Sequence, residues 1–258
     1  MTERDEVRVD MHVKVLDERV VRRAKERGLD ALVYAPHFTR LPDIEAAADA
    51  YSDDDLTVIP GREVFTGDWR NRQHLLAVGL TDPIPDFITL EGAIAELRRQ
   101  DAAVLVPHPE FLNVSLSESS IRQYRDAIDG VETYNPKMTD RGNRRARTVA
   151  VRQDLPPYGS SYAHRVATVG EAWTAFDREA LDGEVTGQSV VAALQGGAPR
   201  RVEHRHGFAH RRRRFAEQAH LAWENTWGKI DRVFLSGTEP THPRHIAYDG
   251  AFDDVAAY

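Results

Sequence analysis

The chain has 258 residues, a formal net charge of −7 and no cysteine. That length can bury a core without covalent staples. The missing thiols exclude disulfides, zinc fingers and cysteine nucleophiles, which leaves His, Asp and Glu for any metal chemistry, and the acidic balance gives no general pull toward nucleic acid.

Short apolar runs recur at 7–9, 31–34, 57–59, 74–78, 102–106 and 131–134. Each is rich in Val, Leu or Ile and is followed by a polar or Pro/Gly loop, as buried parallel strands read. Amphipathic stretches lie between them. Residues 17–27 place Val20, Val21 and Ala24 on one side and stop at Gly28. Residues 44–51 are alanine-rich, Thr89 caps a helix running to 99, and Ser117 caps another running to 128. A further helix spans 188–194, and one more is expected to end at Trp227, with Trp223 and Trp227 packed against the barrel. Repeated βα units predict a parallel sheet with helices outside, open or closed. Residues 1–196 are expected to form this domain. Residues 197–258, rich in Arg and His, are expected to form an appendage packed on it. Residues 1–10 are charged and do not read as a signal peptide. No apolar run approaches the roughly 20 residues that span a bilayer, so a cytoplasmic protein with no membrane partner is expected.

In parallel α/β architectures, functional groups gather at the carboxyl ends of strands. Here His12, His37, Glu63 and His108 each follow a predicted strand, and His164 follows the stretch 158–161. His74 instead opens its run, so the rule does not cover it. Imidazole and carboxylate converging on one pocket suit zinc, manganese or iron.

The motifs around these residues resemble those of the PHP (polymerase and histidinol phosphatase) domain family. Val9-Asp10-Met11-His12-Val13-Lys14 resembles the family's D-x-H-x-H opening, Tyr34-Ala35-Pro36-His37 its T-D-H segment, and Ile59-Pro60-Gly61-Arg62-Glu63 its P-G-x-E segment. His74 leads the strand that follows, Val106-Pro107-His108-Pro109 is similar to x-H-P, and residues 130–135 are similar to G-x-E-x-x-N. Residues 159–164, followed by Thr168-Val169-Gly170, resemble the closing G-S-D-A-H and its downstream V-G, and the segment to 196 resembles PHP-associated pieces. The resemblance implies a distorted (β/α)7 barrel with metals at the strand ends and hydrolysis of phosphate esters. The scarcity of lysine, with only Lys14, Lys25, Lys137 and Lys229, resembles proteins of salt-loving archaea; GC-rich codon usage gives the same bias.

Three departures from the family pattern bear on function. Lys14 replaces the second opening histidine, Pro36 the aspartate of the second motif, and Tyr162 the closing aspartate. By resemblance, Glu63, His74 and His108 preserve one metal site. His37 and His164 contribute to another, with Asp17 as a candidate extra ligand, and the site that keeps only His12 and Glu63 is broken. One or two divalent ions are expected. Lys14 either fills the vacated space, holds a substrate phosphate or points to solvent. Tyr162 either donates to a substrate oxygen or fills the hole. Arg62 either clamps phosphate or is a solvated loop residue. Arg211–Arg214 reads as a solvated helix face paired with acids, or as a nucleic-acid contact. His204, His206 and His210 resemble a metal tract by count alone. The expected function is a metal-dependent phosphoesterase acting on a phosphorylated small molecule or nucleotide, with Lys14, Arg62 and Tyr162 as catalytic candidates. The alternative is a non-catalytic barrel that binds a phosphorylated ligand or partner.

Overall fold

The structure is a computed structural model that describes residues 5–68, 71–110, 114–234 and 240–257, without the side chains of 221–234. Its chain order is β1 (Glu6–Val13), α1 (Glu18–Arg27), β2 (Ala31–Tyr34), α2 (Leu41–Tyr51), β3 (Thr57–Thr66), β4 (Gln73–Val78), α3 (Leu90–Arg99), β5 (Ala103–Val106), α4 (Glu118–Gln123), β6 (Gly130–Tyr134), α5 (Asp140–Gln153), β7 (Pro157–Gly159), β8 (Ala172–Asp177), α6 (Gly187–Gln195), β9 (Arg200–His204) and α7 (Gly207–Phe234). The nine strands form one sheet in the order β7-β6-β5-β4-β3-β2-β1-β8-β9.

The sheet curls until its ends meet. A parallel bridge joins Val13 to Ala163, just past β7, and Lys14 N donates to Ala163 O at 2.9 Å. Strands β1 to β7 thus make a nearly closed seven-stranded barrel, as the motif resemblance implied. The expectation of an all-parallel sheet needs correction. β4 runs antiparallel to both β3 and β5, and β8 and β9 are antiparallel additions on β1. Among the described residues no helix is long and apolar enough to cross a membrane.

Two apolar layers hold the barrel. Its interior is filled by Val9, Met11, Val33, Ile59, Leu76 and Leu105, and α6 packs Val190 and Leu194 into this cluster. Outside, α1 and α2 cover Leu32 and Val58, while α3 and α5 cover Val104 and Val131. Fully burying each such side chain contributes about 1.5–3 kcal/mol. Local signals set the helix ends. Asp17 caps α1 by accepting from Arg19 N and Val20 N, Thr89 caps α3, and Thr139 caps α5. The helix expected from Ser117 to 128 stops at Gln123 and passes into a 3₁₀ turn at Arg125–Ala127. Residues 200–204, read as part of a basic tail, are strand β9, whose charged side chains suit a sheet edge.

The terminal segment packs on the barrel through Asp86, which accepts from Thr241 Oγ1 at 2.5 Å, and through a bridge between Ile88 and Ala256. Helix α7 is held by Glu171, whose buried carboxylate meets Arg27 at 2.6 Å, His210 at 2.6 Å and Arg213 at 2.9 Å. Phe208 and Phe215 are both 73% exposed. The expected packing of Trp223 and Trp227 lies outside the described side chains.

Candidate metal centre

Glu63 is the hub of the barrel's carboxyl end. It sits two residues after Gly61 on the inward face of β3. A Cβ on Gly61 would stand 2.4 Å from Val33 Cγ1, so only glycine lets β2 and β3 approach there. The Glu63 carboxylate is fully buried. Its Oε1 lies 3.1 Å from His74 Nδ1 and 3.1 Å from His108 Nε2. Its Oε2 lies 2.5 Å from Lys14 Nζ, 3.0 Å from His37 Nδ1 and 3.9 Å from His12 Nε2.

Each partner reaches the hub for a local reason. Between Asp10 and Val13 the β1–β2 register slips by one residue. This bulge turns His12 inward although Met11 also lines the interior. His74 opens β4, and because β4 runs antiparallel its first residues lie at the same end as its neighbours' last ones. His108 leaves β5 with φ of 33°, in the left-handed region that ordinary residues seldom adopt. Its backbone N–H donates to Glu132 at 2.8 Å, and its Nδ1 pairs with Ser115 Oγ at 2.8 Å, which orients the ring. Glu132 also accepts from Asn135 and Ser160, and Asp10 accepts from the backbone of Ser161 and Gly170. These motif acids therefore brace the site rather than enter it.

His164 joins the rim, its ring centroid 5.8 Å from that of His37 and 4.9 Å from that of Tyr162. Tyr162, at φ of 44°, lays its ring 4.7 Å from His12 and 5.1 Å from His108. The structure therefore brings together His12, Lys14, His37, Glu63, His74, His108, Tyr162 and His164. Two candidates stay apart. Asp17 is the α1 cap and pairs with Arg19 at 2.7 Å. Arg62 is neither a phosphate clamp on the rim nor a solvated loop residue. Strand alternation turns it to the other face of β3, where it is buried, pairs with Asp86 at 2.6 Å and donates to Glu63 O. In the basic segment, Arg213 and Arg214 pair with Glu171 and Asp140, and His210 links Glu171 to the Tyr134 hydroxyl. Sequence reasoning missed Lys137 and Glu217, which lie buried beside this cluster at 3.8 Å from each other. Lys137 follows β6, a strand-end position that a search confined to histidines and acids passes over.

Burial and charge fix the protonation states. Burial alone would raise the Glu63 carboxyl, but Lys14 and the histidines outweigh it and hold it well below its ordinary value. Burial brings Lys14 down to about 8 against the opposing pull of Glu63. His12 falls well below its ordinary value through burial and the Lys14 charge. His74 is lowered by burial, and His164 falls well below through burial and then Lys137. Neutral imidazoles and an ionised carboxylate are the metal-ligating forms.

Glu63, His74 and His108 offer ligand atoms that all lie within 4.8 Å of one another, every one buried. The donor set fits a divalent cation. Among the described residues, His74 Nε2 and both ring nitrogens of His12 are buried without a hydrogen bond, an arrangement that costs about 1–3 kcal/mol per group unless something else is bound.

Residues 140–199 match the family described as PHP-associated. An uncharacterized protein of Methanocaldococcus jannaschii is 30% identical over 124 residues, 46% of this chain and 51% of that protein. The chain thus spans about half the length of this curated relative. PsfC from Pseudomonas syringae superposes with a TM-score of 0.62 at 19% identity, over 85% of this chain and 99% of that one. An amidohydrolase from Chromobacterium violaceum, solved with sulfate and no metal, gives 0.51 at 14% identity, over 60% and 87%. The structural likenesses carry the fold. The family match extends to a PHP-associated segment at 140–199.

Proposed function

We propose that this PHP-type barrel is a metal-dependent phosphoesterase that hydrolyses a phosphate monoester or diester of a small molecule or nucleotide. The observation that carries this reading is the buried set of Glu63, His74 and His108, two imidazoles and one carboxylate on a single side of the barrel. Three such ligands with an open position are the donor count of a hydrolytic site. A zinc, manganese or iron ion held there supplies Lewis acidity and acidifies water. The chain's own residues then do the following. His108 is fixed by Ser115 and Glu132. His164 and His12 are kept neutral by burial, the form that can ligate a cation. Lys14 offsets negative charge developing on the phosphoryl oxygens. Tyr162 walls the site against His12 and His108. The cytoplasm, where phosphate esters are abundant, is the compartment we assign.

One observation favours a second reading, a barrel that binds a phosphorylated ligand without cleaving it. The Lys14 ammonium lies 2.5 Å from Glu63 Oε2 and donates to Ala35 O, so a fixed cation already compensates the hub. Metal analysis of the purified chain with a phosphoester panel separates the two. Metal bound in proportion to protein, with hydrolysis lost in Glu63→Gln, supports the enzyme. Metal and activity gained only in a Lys14→His, Tyr162→Asp variant supports the binding protein.

A further inference from the structure

Helix α5 and the edge strand β9 leave a gap over the start of β7. The gap is a groove of about 570 Å³, within the roughly 300–1,000 Å³ of sites that take small molecules. Its walls are apolar, with Ala150, Val151 and Leu155 from α5 and Val202 from β9. Val151 is 81% exposed, so the apolar wall runs out to solvent. Tyr134 and His204 also line the groove, their rings parallel within 4° and their centroids 4.0 Å apart. His206 adds a third ring 4.3 Å from His204. Among the described residues, none from the Glu63 cluster lines this groove.

The charge in the groove has one sign. Arg147 lines it. On the same helix, Arg145 pairs with Glu110 at 2.7 Å and Arg152 with Glu118 at 3.5 Å, whereas Arg147 meets no acid among the described residues. Its guanidinium acts on both rings. Burial lowers His204 and raises Tyr134, and the Arg147 charge adds to the first shift and opposes the second. His204 Nδ1 lies 2.9 Å from Arg205 O. A carbonyl oxygen only accepts, so the neutral ring carries its proton on Nδ1 and adds no charge of its own. Asp154, the acid of the lining, is engaged by Arg125 at 3.2 Å. An apolar cleft thus carries a single unopposed guanidinium.

We propose that the groove between α5 and β9 binds a small aromatic carboxylate, its ring against Tyr134 and the α5 wall and its carboxylate on Arg147. A guanidinium presents two parallel N–H groups that match a carboxylate. One such cation balances one negative charge and leaves a phosphate dianion half compensated. A ligand ring extends the array of Tyr134, His204 and His206, since aromatic rings gain from meeting one another beyond the area they bury. A rigid ring also loses less freedom on binding than an alkyl chain of the same size. The site does not depend on the phosphoesterase reading.

The test uses the full chain after chelator treatment, titrated with 2-naphthoate and with its neutral counterpart 2-naphthalenemethanol by ligand-observed NMR at neutral pH. The acid is expected to bind with a Kd of about 1 mM or tighter, and the alcohol about tenfold more weakly. Arg147 and Val151 are both exposed, so their variants keep the fold. Arg147→Met weakens the acid about tenfold and leaves the alcohol unchanged, which erases the preference. Val151→Glu sets a carboxylate at the groove and weakens the acid by more than the alcohol. Absence of naphthoate binding at millimolar concentration overturns the proposal, as does equal affinity for acid and alcohol. Parental affinity for the acid in Arg147→Met or Val151→Glu places the ligand elsewhere, the metal centre included, and also overturns it. An equal loss of acid and alcohol in Arg147→Met makes the arginine a structural residue, with the same consequence.

Discussion

Replacing Lys14 by methionine asks whether an ammonium stands in for a cation at Glu63. The substitution keeps the apolar stem and deletes a charge that lies 2.5 Å from Glu63 Oε2, with side-chain exposures of 3% and 0%. Removing one partner of a buried ion pair costs about 3–5 kcal/mol, because the other charge is left uncompensated. The four surrounding histidines soften the loss, so the low end applies. Each kcal/mol moves Tm by about 2–4 °C in a chain of this size, and the chelated variant is expected to melt roughly 6–12 °C below its parent. A divalent ion at 100 times its Kd returns about 2.7 kcal/mol. Zinc or manganese should therefore restore most of the lost stability in Lys14→Met and add less to the parent. The assay is thermal unfolding followed by circular dichroism, in chelator and in metal. Equal melting temperatures in chelator, or no gain from metal, would refute the reasoning. The same lysine sets a pH signature. Its folded value of about 8 lies below the ordinary 10.5, a penalty of roughly 3 kcal/mol on the charged form. Between those values the unfolded chain binds more protons, so stability rises with pH through that window and is flat below it. Urea unfolding at several pH values should show this slope in the parent and its absence in Lys14→Met.

Glu171→Gln should loosen α7, since one buried carboxylate meets Arg27, His210 and Arg213; about 3 kcal/mol of lost stability would appear as faster hydrogen exchange across residues 207–220. Burial would raise the Glu171 carboxyl, but His210 and the arginines hold it below its ordinary 4.5. Its stabilising contribution is therefore present above that value and lost as pH falls through the depressed one. Ser115→Ala removes the partner of His108 Nδ1 and is expected to weaken metal affinity about 10-fold or more with little change in fold, measured by competition with a metal indicator. Arg62→Met should cost about 3 kcal/mol by leaving the buried Asp86 carboxylate without its cation and leave metal affinity unaltered. A selective loss of phosphate binding in that variant would instead restore Arg62 to the site.

Much of the site was legible because the rule that reads it is geometric. Parallel strands bring their carboxyl ends together, so His12, His37, Glu63 and His108 could be gathered from sequence positions alone. The rule failed at His74 because an apolar run does not disclose its direction. The residues of β4 alternate identically whichever way the strand runs, and only the hairpin pairing of 61–66 with 73–78 shows that its first residue belongs with the others' last. Arg62 failed for the converse reason. It was judged by its neighbour Glu63, yet adjacent strand residues face opposite sides, and the charge sits against Asp86 outside the barrel. His12 shows how little is needed to defeat alternation, since one extra residue in β1 turns it inward beside Met11. Lys137 obeyed the strand-end rule and was passed over because lysine is not a ligand. Glu217 had no local signal at all: its partners Thr168 and Lys137 lie 49 and 80 residues earlier in the chain. The strand-end residues of the PHP-like pattern are thus the ones that can hold a metal, whereas the acids of the same motifs, Asp10 and Glu132, brace the backbone around them.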